Sequence, residues 1–263
     1  MKKFLVFLLT AVLALSMLAG CGTTGSDADF VKKKGKLVVG ITDFAPMDYQ
    51  ENGQWIGFDA DMATAFAKSL GVEVEFIEIV WDNRFNDLNT KTIDCVWNGM
   101  TLTEDAKKNM ATSKAYCNNS QVVVVKKDIA DTIKSVDDIV SLKFAVEDSS
   151  AGQEQLDALK EAGKNIEYVT LQKQADALME VQAGTSDACV IDLLMAGAMI
   201  GEGTSYTNLV YTLKLNDEQY GVGFRKGSDL VDALNDFMKK SYDDGSMLTV
   251  AKTYGVQETL IAQ

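Results

Sequence analysis

The fold is decided by residues 37–71, where the apolar run LVVGI at 37–41 is followed by DADMATAFAKSLG at 59–71. An unbroken run of Leu, Val and Ile is typical of a buried strand. In the second segment apolar side chains recur at every fourth position from Met62 to Leu70, after an acidic start and before a glycine. This spacing predicts an amphipathic helix with both ends encoded.

The chain continues in this order and then repeats it. The pattern predicts a second strand at 72–80, a short helix at 82–89 and a buried third strand at 93–97. The middle of the chain predicts strands at 142–146, 166–171 and 188–191, with helices at 150–162 and 174–183. Strands that alternate with helices imply parallel sheets with right-handed crossovers. Two such sets predict two α/β lobes.

Two extended apolar runs, 121–127 and 220–225, flank the second set. If both strands run between the lobes, the chain crosses twice. Lobe 1 then comprises residues 36–121 plus 222–263, and lobe 2 comprises residues 122–221. Two lobes joined by two hinge strands can open and close over a ligand cleft.

The charge and composition of the 263 residues exclude several classes of function. There are 38 Asp and Glu against 25 Lys and Arg, which gives a net charge of −13. Nucleic-acid binding draws its affinity from clustered basic residues, so we expect no nucleic-acid partner. The chain has no histidine, which excludes serine triads, histidine zinc sites and cysteine–histidine nucleophiles. We expect no cofactor and no metal.

The first 35 residues indicate export. Residues 1–20 have two lysines, an apolar run and small residues before Cys21, which is typical of a signal peptide. Leu18-Ala19-Gly20-Cys21 resembles the bacterial lipobox, so we expect lipidation of Cys21, and a plain secretory cleavage site is the alternative. Residues 21–35 would be a flexible tether, which predicts an extracytoplasmic protein anchored by lipid to the bacterial cell membrane.

Five short motifs, in order along the chain, carry a family resemblance. They are GFDAD at 57–61, WDNRF at 81–85, GMTLT at 99–103, YGVGFRKG at 220–227 and DGS at 244–246. Together they resemble the solute-binding proteins of polar amino-acid ABC importers, extracellular solute-binding protein family 3. The resemblance implies a type II periplasmic-binding-protein-like fold. It also implies a monomeric receptor, not an enzyme, that captures an amino acid or amine and delivers it to an ABC permease.

In open α/β sheets ligands bind beyond the carboxyl ends of the strands. The residues predicted there are Phe44, Trp81, Asn98, Gly99, Met100 and Thr101 in lobe 1, and Ser149, Ser150 and Asp192 in lobe 2. The resemblance implies that Phe44 and Trp81 sandwich the ligand and that Asp192 accepts its α-ammonium. The alternatives are core aromatics and a helix N-cap. Backbone amides of Ser150, Ala151 and Gly152 at a helix start favour a carboxylate.

One position departs from the family pattern. An arginine that clamps the ligand carboxylate is expected five residues after Thr101, and this chain has Ala106 there. Of its two arginines, Arg84 and Arg225, neither is expected to substitute. Three interpretations stay open: an amino acid held by backbone amides and Asn98, a ligand without an α-carboxylate, or a relative that no longer binds.

An enzyme is the remaining alternative, since some relatives of the family are dehydratases. The acidic pair Glu147-Asp148 follows a predicted strand and is a candidate general acid. Surface-loop carboxylates are the simpler interpretation of this pair. Turnover of an arogenate- or prephenate-like substrate would decide for the enzyme.

Overall fold

The computed structural model describes residues 25–263. The predicted signal peptide and Cys21 lie outside the described residues. Within residues 25–263 no helix is both long and apolar enough to cross a membrane. Cys95, Cys117 and Cys189 are all buried, and none is paired in a disulfide.

The first sheet has the strand order β4-β1-β5-β13-β6, with β7 also paired to β13. Its strands are β1 (Lys36–Ile41), β4 (Glu73–Glu78), β5 (Cys95–Thr101), β6 (Ala111–Thr112), β7 (Cys117–Asn119) and β13 (Glu218–Phe224), and β2 (Tyr49–Glu51) with β3 (Gln54–Ile56) forms a separate hairpin. The helices are α1 (Asp27–Lys34), α2 (Phe58–Ser69), α3 (Arg84–Asn89), α4 (Glu104–Asn109), α9 (Leu230–Asp243) and α10 (Ser246–Thr253), with short 3-10 turns at Trp81–Asn83 and Gln257–Thr259.

The second sheet has the order β10-β9-β11-β8-β12. Its strands are β8 (Gln121–Lys126), β9 (Lys143–Glu147), β10 (Glu167–Leu171), β11 (Ala188–Asp192) and β12 (Leu209–Lys214). Its helices are α5 (Lys127–Ala130), α6 (Ala151–Glu161), α7 (Gln174–Ala183) and α8 (Leu193–Met199), with a 3-10 turn at Val136–Asp138.

The two sheets share one pattern, which confirms the predicted pair of α/β lobes. In the first, β1 is parallel to β4 and β5, and β13 is antiparallel to β5. In the second, β9 is parallel to β10 and β11, and β8 is antiparallel to β11. Each lobe therefore has three parallel strands with one antiparallel strand beside the third.

The chain crosses between the sheets at different points from those predicted. Strand β8 pairs only within the second sheet and β13 only within the first, so their hydrogen bonds hold each strand inside one lobe. The crossings fall at Ser120 and at residues 215–217. The two crossings are joined to each other, because Leu215 N donates to Gln121 O at 2.8 Å and Gln121 N donates to Asn216 Oδ1 at 2.7 Å.

The predicted tether over 21–35 is wrong for residues 27–34, which form α1. Ser26 Oγ caps this helix by accepting from Asp29 N at 3.0 Å, and Val31 is fully buried. Arg225 Nε pairs with Asp27 Oδ2 at 3.1 Å. Helix α1 is thus part of lobe 1. It was not predicted, because Val31, which it buries, stands in a segment of mostly charged residues.

Candidate functional site

A cavity lies between the two lobes. It is lined by all nine residues predicted at the strand ends: Phe44, Trp81, Asn98, Gly99, Met100, Thr101, Ser149, Ser150 and Asp192. Further lining residues are Thr42, Arg84, Thr103, Ala106, Glu147, Ala151, Glu154 and Gln174. The structure brings the predicted residues together, and their contact with a ligand stays a prediction.

In the lobe 1 wall the aromatic ring of Phe44 packs closely against strand β5. Gly99 in β5 has φ +54°, and a Cβ at this position would lie 2.2 Å from Phe44 Cε1. Glycine is therefore required for the Phe44 ring to lie against the strand. The ring also packs edge-on against Tyr220, with centroids 6.2 Å apart.

Trp81 stands beside a buried cation. The Arg84 guanidinium carbon lies 4.8 Å from the Trp81 ring centroid and 4.3 Å from that of Phe85. Arg84 Nη1 donates to Trp81 O at 2.8 Å. Arg84 is only 5% exposed, and burial lowers its pKa, although the carboxylates around it act in the opposite direction.

Asn98 holds the loop after β1 to the end of β5. Its Oδ1 accepts from Thr42 N at 3.1 Å and from Thr42 Oγ1 at 2.6 Å, and its Nδ2 donates to Asp48 Oδ2 at 2.7 Å. Both polar ends of the amide are therefore engaged within lobe 1. This makes Asn98 a brace of the wall that carries Phe44, and it weakens the expectation that its amide holds a carboxylate.

Asp192 ends β11 on the lobe 2 side and is 3% exposed. Its Oδ1 accepts from Asn119 Nδ2 at 2.5 Å, Gln121 Nε2 at 3.1 Å and Tyr220 OH at 2.5 Å. Its Oδ2 accepts from Gln174 Nε2 at 2.6 Å, its single donor within the described residues, which leaves acceptor capacity there. Burial, with the nearby charge of Glu218, raises the pKa of Asp192 to about 8.

Glu147 corrects the sequence-based interpretation of the acidic pair as surface-loop carboxylates. Asp148 is exposed, but Glu147 is the last residue of β9, is 4% exposed and lines the cavity. Burial and the charge of Asp192 raise the pKa of Glu147 to about 8. Both carboxyls therefore give up a proton less readily than an exposed carboxyl, because desolvation and like charge each disfavour the ionised form.

The loop before α6 joins the two lobes across the cleft. Ser149 has φ +57°, and its hydroxyl donates to Asp82 Oδ1 of lobe 1 at 2.6 Å. Ser150 caps the helix, because its Oγ accepts from Gln153 N at 3.1 Å. The next two amides, those of Ala151 and Gly152, form no hydrogen bond to any described residue and are free for an anion.

Comparison with known proteins agrees with this architecture. The model of the bacterial extracellular solute-binding proteins, family 3, matches residues 37–257. The chain belongs to this family.

This family 3 chain is 28% identical to the arginine-binding extracellular protein ArtP of Bacillus subtilis, over 97% of its own length and 98% of that protein. A crystal structure of a mutant of ArgBP from T. maritima is 33% identical, with a TM-score of 0.80, covering 87% of this chain and 99% of that one. A third relative is the ancestral amino acid-binding protein AncCDT-1, a precursor of cyclohexadienyl dehydratase. It is 34% identical with a TM-score of 0.79, covering 87% of this chain and 99% of that one.

Three charged residues that line the cleft of this family 3 protein were not among the predicted binding residues: Arg84, Glu154, and Glu147, whose simpler interpretation was a surface-loop carboxylate. Glu147 ends β9 as Asp192 ends β11, so the rule that found one carboxylate identifies the other. Arg84 carried no such signal, because it lies at the start of a helix and not at the carboxyl end of a strand. Among the predicted residues, Met100 is 1% exposed and packs in an apolar cluster with Ala106 and Met110.

No metal centre is evident in the part of the chain that the structure describes. Among residues 25–263, no three His, Cys, Asp or Glu side chains are grouped so that they could hold a metal ion together.

Proposed function

We propose that this protein is the substrate-binding component of an ABC importer, and that it captures an amino acid by closing its two lobes around it. The ligand's α-ammonium would bind Asp192 and its side chain would lie between Phe44 and Trp81. Aromatic faces provide both apolar contact and attraction to a cation. We infer that Ala151 and Gly152 amides contribute to binding of the carboxylate.

The observation that carries this proposal is the state of Asp192. A carboxyl that is 3% exposed is costly to ionise without a cation nearby, yet this one keeps an acceptor site on Oδ2 and lines the cavity. An ammonium at Oδ2 would offset the desolvation cost and restore the ionised form. A buried carboxyl that gains by receiving a cation is the chemistry expected of an amine-binding site.

The balance of charge favours a basic amino acid. Three carboxylates line the cavity, from Glu147, Glu154 and Asp192, against one guanidinium among the described residues, that of Arg84. A second cationic group on the ligand would meet Glu147 or Glu154. Two of the relatives, ArtP and ArgBP, are named for arginine, which makes L-arginine the first compound to test.

The wider setting follows from the same proposal. Cys21 would carry the lipid that holds the protein at the outer surface of the cell membrane, and an ABC permease would receive the solute. A monomer is sufficient for this role, because both walls of the cleft come from one chain. We propose that the protein has no catalytic activity of its own.

A ligand-screened melting curve tests the proposal. Purified residues 21–263 are heated with L-arginine, L-lysine or L-histidine, and in parallel with the corresponding amines agmatine, cadaverine and histamine. At a ligand concentration about 100 times Kd, binding to the folded state adds about 2.7 kcal/mol. We expect a higher melting temperature with at least one amino acid. Stabilisation by amines alone would favour a ligand without a carboxylate, and no shift with any of the six would contradict the proposal.

A dehydratase is the second candidate, and Glu147 is the observation that favours it. A cleft carboxyl with a pKa of about 8 is protonated at neutral pH and is able to act as a general acid. Formation of product from prephenate or arogenate by the purified protein, abolished by Glu147→Gln, would establish this activity. Absence of product with both substrates would eliminate it.

A further inference from the structure

Arg84 is a buried cation without a counter-ion within ion-pair distance. Its side chain is 5% exposed, and no described residue forms a salt bridge with it. The other arginine, Arg225, is buried to a similar degree and pairs with both Asp27 and Asp94. A buried guanidinium without a paired anion is costly, so the contrast between the two arginines calls for a ligand at Arg84.

Most of the hydrogen-bonding capacity of Arg84 is also unused. A guanidinium carries five N–H donors, and among the described residues this one donates only to Trp81 O. Its Nε and Nη2 have no partner there, and neither is among the side-chain atoms sealed from solvent. These donors are therefore accessible, and Arg84 lines the cleft as well as an adjoining depression with Asp82 and Asp105.

The guanidinium is held in place from two sides. The rings of Trp81 and Phe85 lie 4.8 and 4.3 Å from its central carbon. Contact with two rings restricts the movement of the guanidinium, whose planar fork is suited to binding a carboxylate in bidentate fashion.

Arg84 faces the space beside Ala106, the position where an arginine was expected. Both residues line the same cavity, and the charge of Asp105, next in sequence to Ala106, acts on Arg84. The charge of Glu154, in the first turn of α6, acts on it as well. The guanidinium therefore feels charges from the start of α4 and from the first turn of α6, and Arg84 lines the same cavity as Ala151.

We propose that Arg84 binds the carboxylate of the ligand and determines the preference for amino acids over amines. The inference rests on the proposed function. In it, Arg84 at the start of α3 provides the positive charge for the carboxylate, in place of the arginine that is absent at position 106 of α4. The carboxylate would lie against the guanidinium fork and the amides of α6, while the ammonium of the same ligand lies at Asp192. The proposal departs from the expectation that Arg84 does not substitute for the missing arginine.

The test measures affinity for an amino acid and for its amine in parallel. Three pairs are available: arginine with agmatine, lysine with cadaverine, and histidine with histamine. The pair whose amino acid binds wild type most tightly is chosen. Calorimetry then measures the affinity of wild type, Arg84→Met and Arg84→Lys for both members of that pair. We expect Arg84→Met to weaken amino-acid binding about 100-fold and amine binding less than about threefold, since a charge-assisted bidentate pair is lost. Arg84→Lys keeps the charge without the fork and should lose about tenfold.

A matched control separates this effect from loss of charge in general. Lys107 on α4 is half-exposed, pairs with Glu104 and does not line the cavity, so Lys107→Met removes one positive charge nearby and should leave both affinities unchanged. If Arg84→Met loses affinity equally for the amino acid and the amine, or loses none, the inference about Arg84 is overturned. The proposed function would still stand in that case, because wild type binds the amino acid. If Arg84→Met does not fold, Arg84→Lys carries the comparison. Failure of all six compounds to bind wild type would instead contradict the proposed function.

Discussion

The two walls of the cleft are built from similar βα units, yet they carry opposite chemistry. The lobe 1 wall presents the aromatic rings of Phe44 and Trp81 and the guanidinium of Arg84. The lobe 2 wall presents the carboxyls of Glu147 and Asp192 and the start of α6. In the proposed closure a positive and an apolar surface would meet an acidic one, across a space that suits a ligand with both charges.

The comparison also separates two kinds of buried acid. In lobe 1, Asp48 and Asp59 are fully buried, do not line the cavity, and have pKa values raised chiefly by burial. Asp59 accepts from Tyr116 OH and Gly99 N, so it braces the wall. In lobe 2 the carboxyls of Glu147 and Asp192 face the cavity. A raised pKa alone does not identify a binding group, and the position of the group relative to the cleft does.

Replacing the lobe 2 acid should have the largest effect. Asp192→Asn removes the charge that receives the ammonium and disturbs four hydrogen bonds, so binding of L-arginine should weaken about 100-fold. Asp187, at the other end of β11, accepts from Lys143 N and lies outside the cavity. Asp187→Asn should leave affinity unchanged in the same titration. If the two variants lose the same affinity, Asp192 is not the group that binds the ammonium.

Removing the ring on the lobe 1 wall should have the next largest effect. Trp81→Ala deletes apolar contact and cation–π attraction, and we expect affinity to fall at least about tenfold. Trp55 in β3 lies outside the cavity, so Trp55→Ala controls for the loss of an aromatic side chain. Normal affinity of Trp81→Ala in calorimetry would show that the ligand does not contact this wall.

The raised pKa values of the two carboxyls on the lobe 2 wall predict that ligand affinity depends on pH. Glu147 and Asp192 have pKa values of about 8 in the cleft without a cation, and a cationic ligand binds their ionised forms. Affinity should therefore rise between about pH 6 and pH 8, by up to about tenfold per pH unit for each group, and level off above. Glu147→Gln should flatten the profile if the ligand cation meets Glu147. Affinity that falls as the pH rises would contradict the sign of this prediction.

The smallest effect concerns the contact between the walls. Ser149→Ala removes the hydrogen bond to Asp82 Oδ1 and keeps the residue's φ of +57°, so the closed state loses one contact without relief of backbone strain. One hydrogen bond corresponds to about twofold to tenfold in affinity. Solution scattering should show a larger radius of gyration for the variant without ligand. Unchanged scattering and affinity would mean that this bond does not stabilise closure.

Much of this arrangement was predictable from local patterns. The two sets of strands and helices follow from apolar periodicity, and the cleft residues follow from the rule that ligands bind at the carboxyl ends of strands. Tertiary relationships were not predictable in the same way. The place of Arg84 in the cleft depends on how the two lobes meet, and helix α1 depends on Val31 reaching the lobe 1 core.

The central claim is that lobe 2 holds the ammonium of the ligand while lobe 1 holds its carboxylate and side chain. The most direct test compares L-arginine with its 2-hydroxy acid analogue, which keeps the carboxylate and the guanidinium and replaces the ammonium by a hydroxyl. Titration of wild-type protein should show binding of the hydroxy acid weakened by about 100-fold or more, because a charge-assisted bond to Asp192 is lost. Equal affinity for the two compounds would contradict the account.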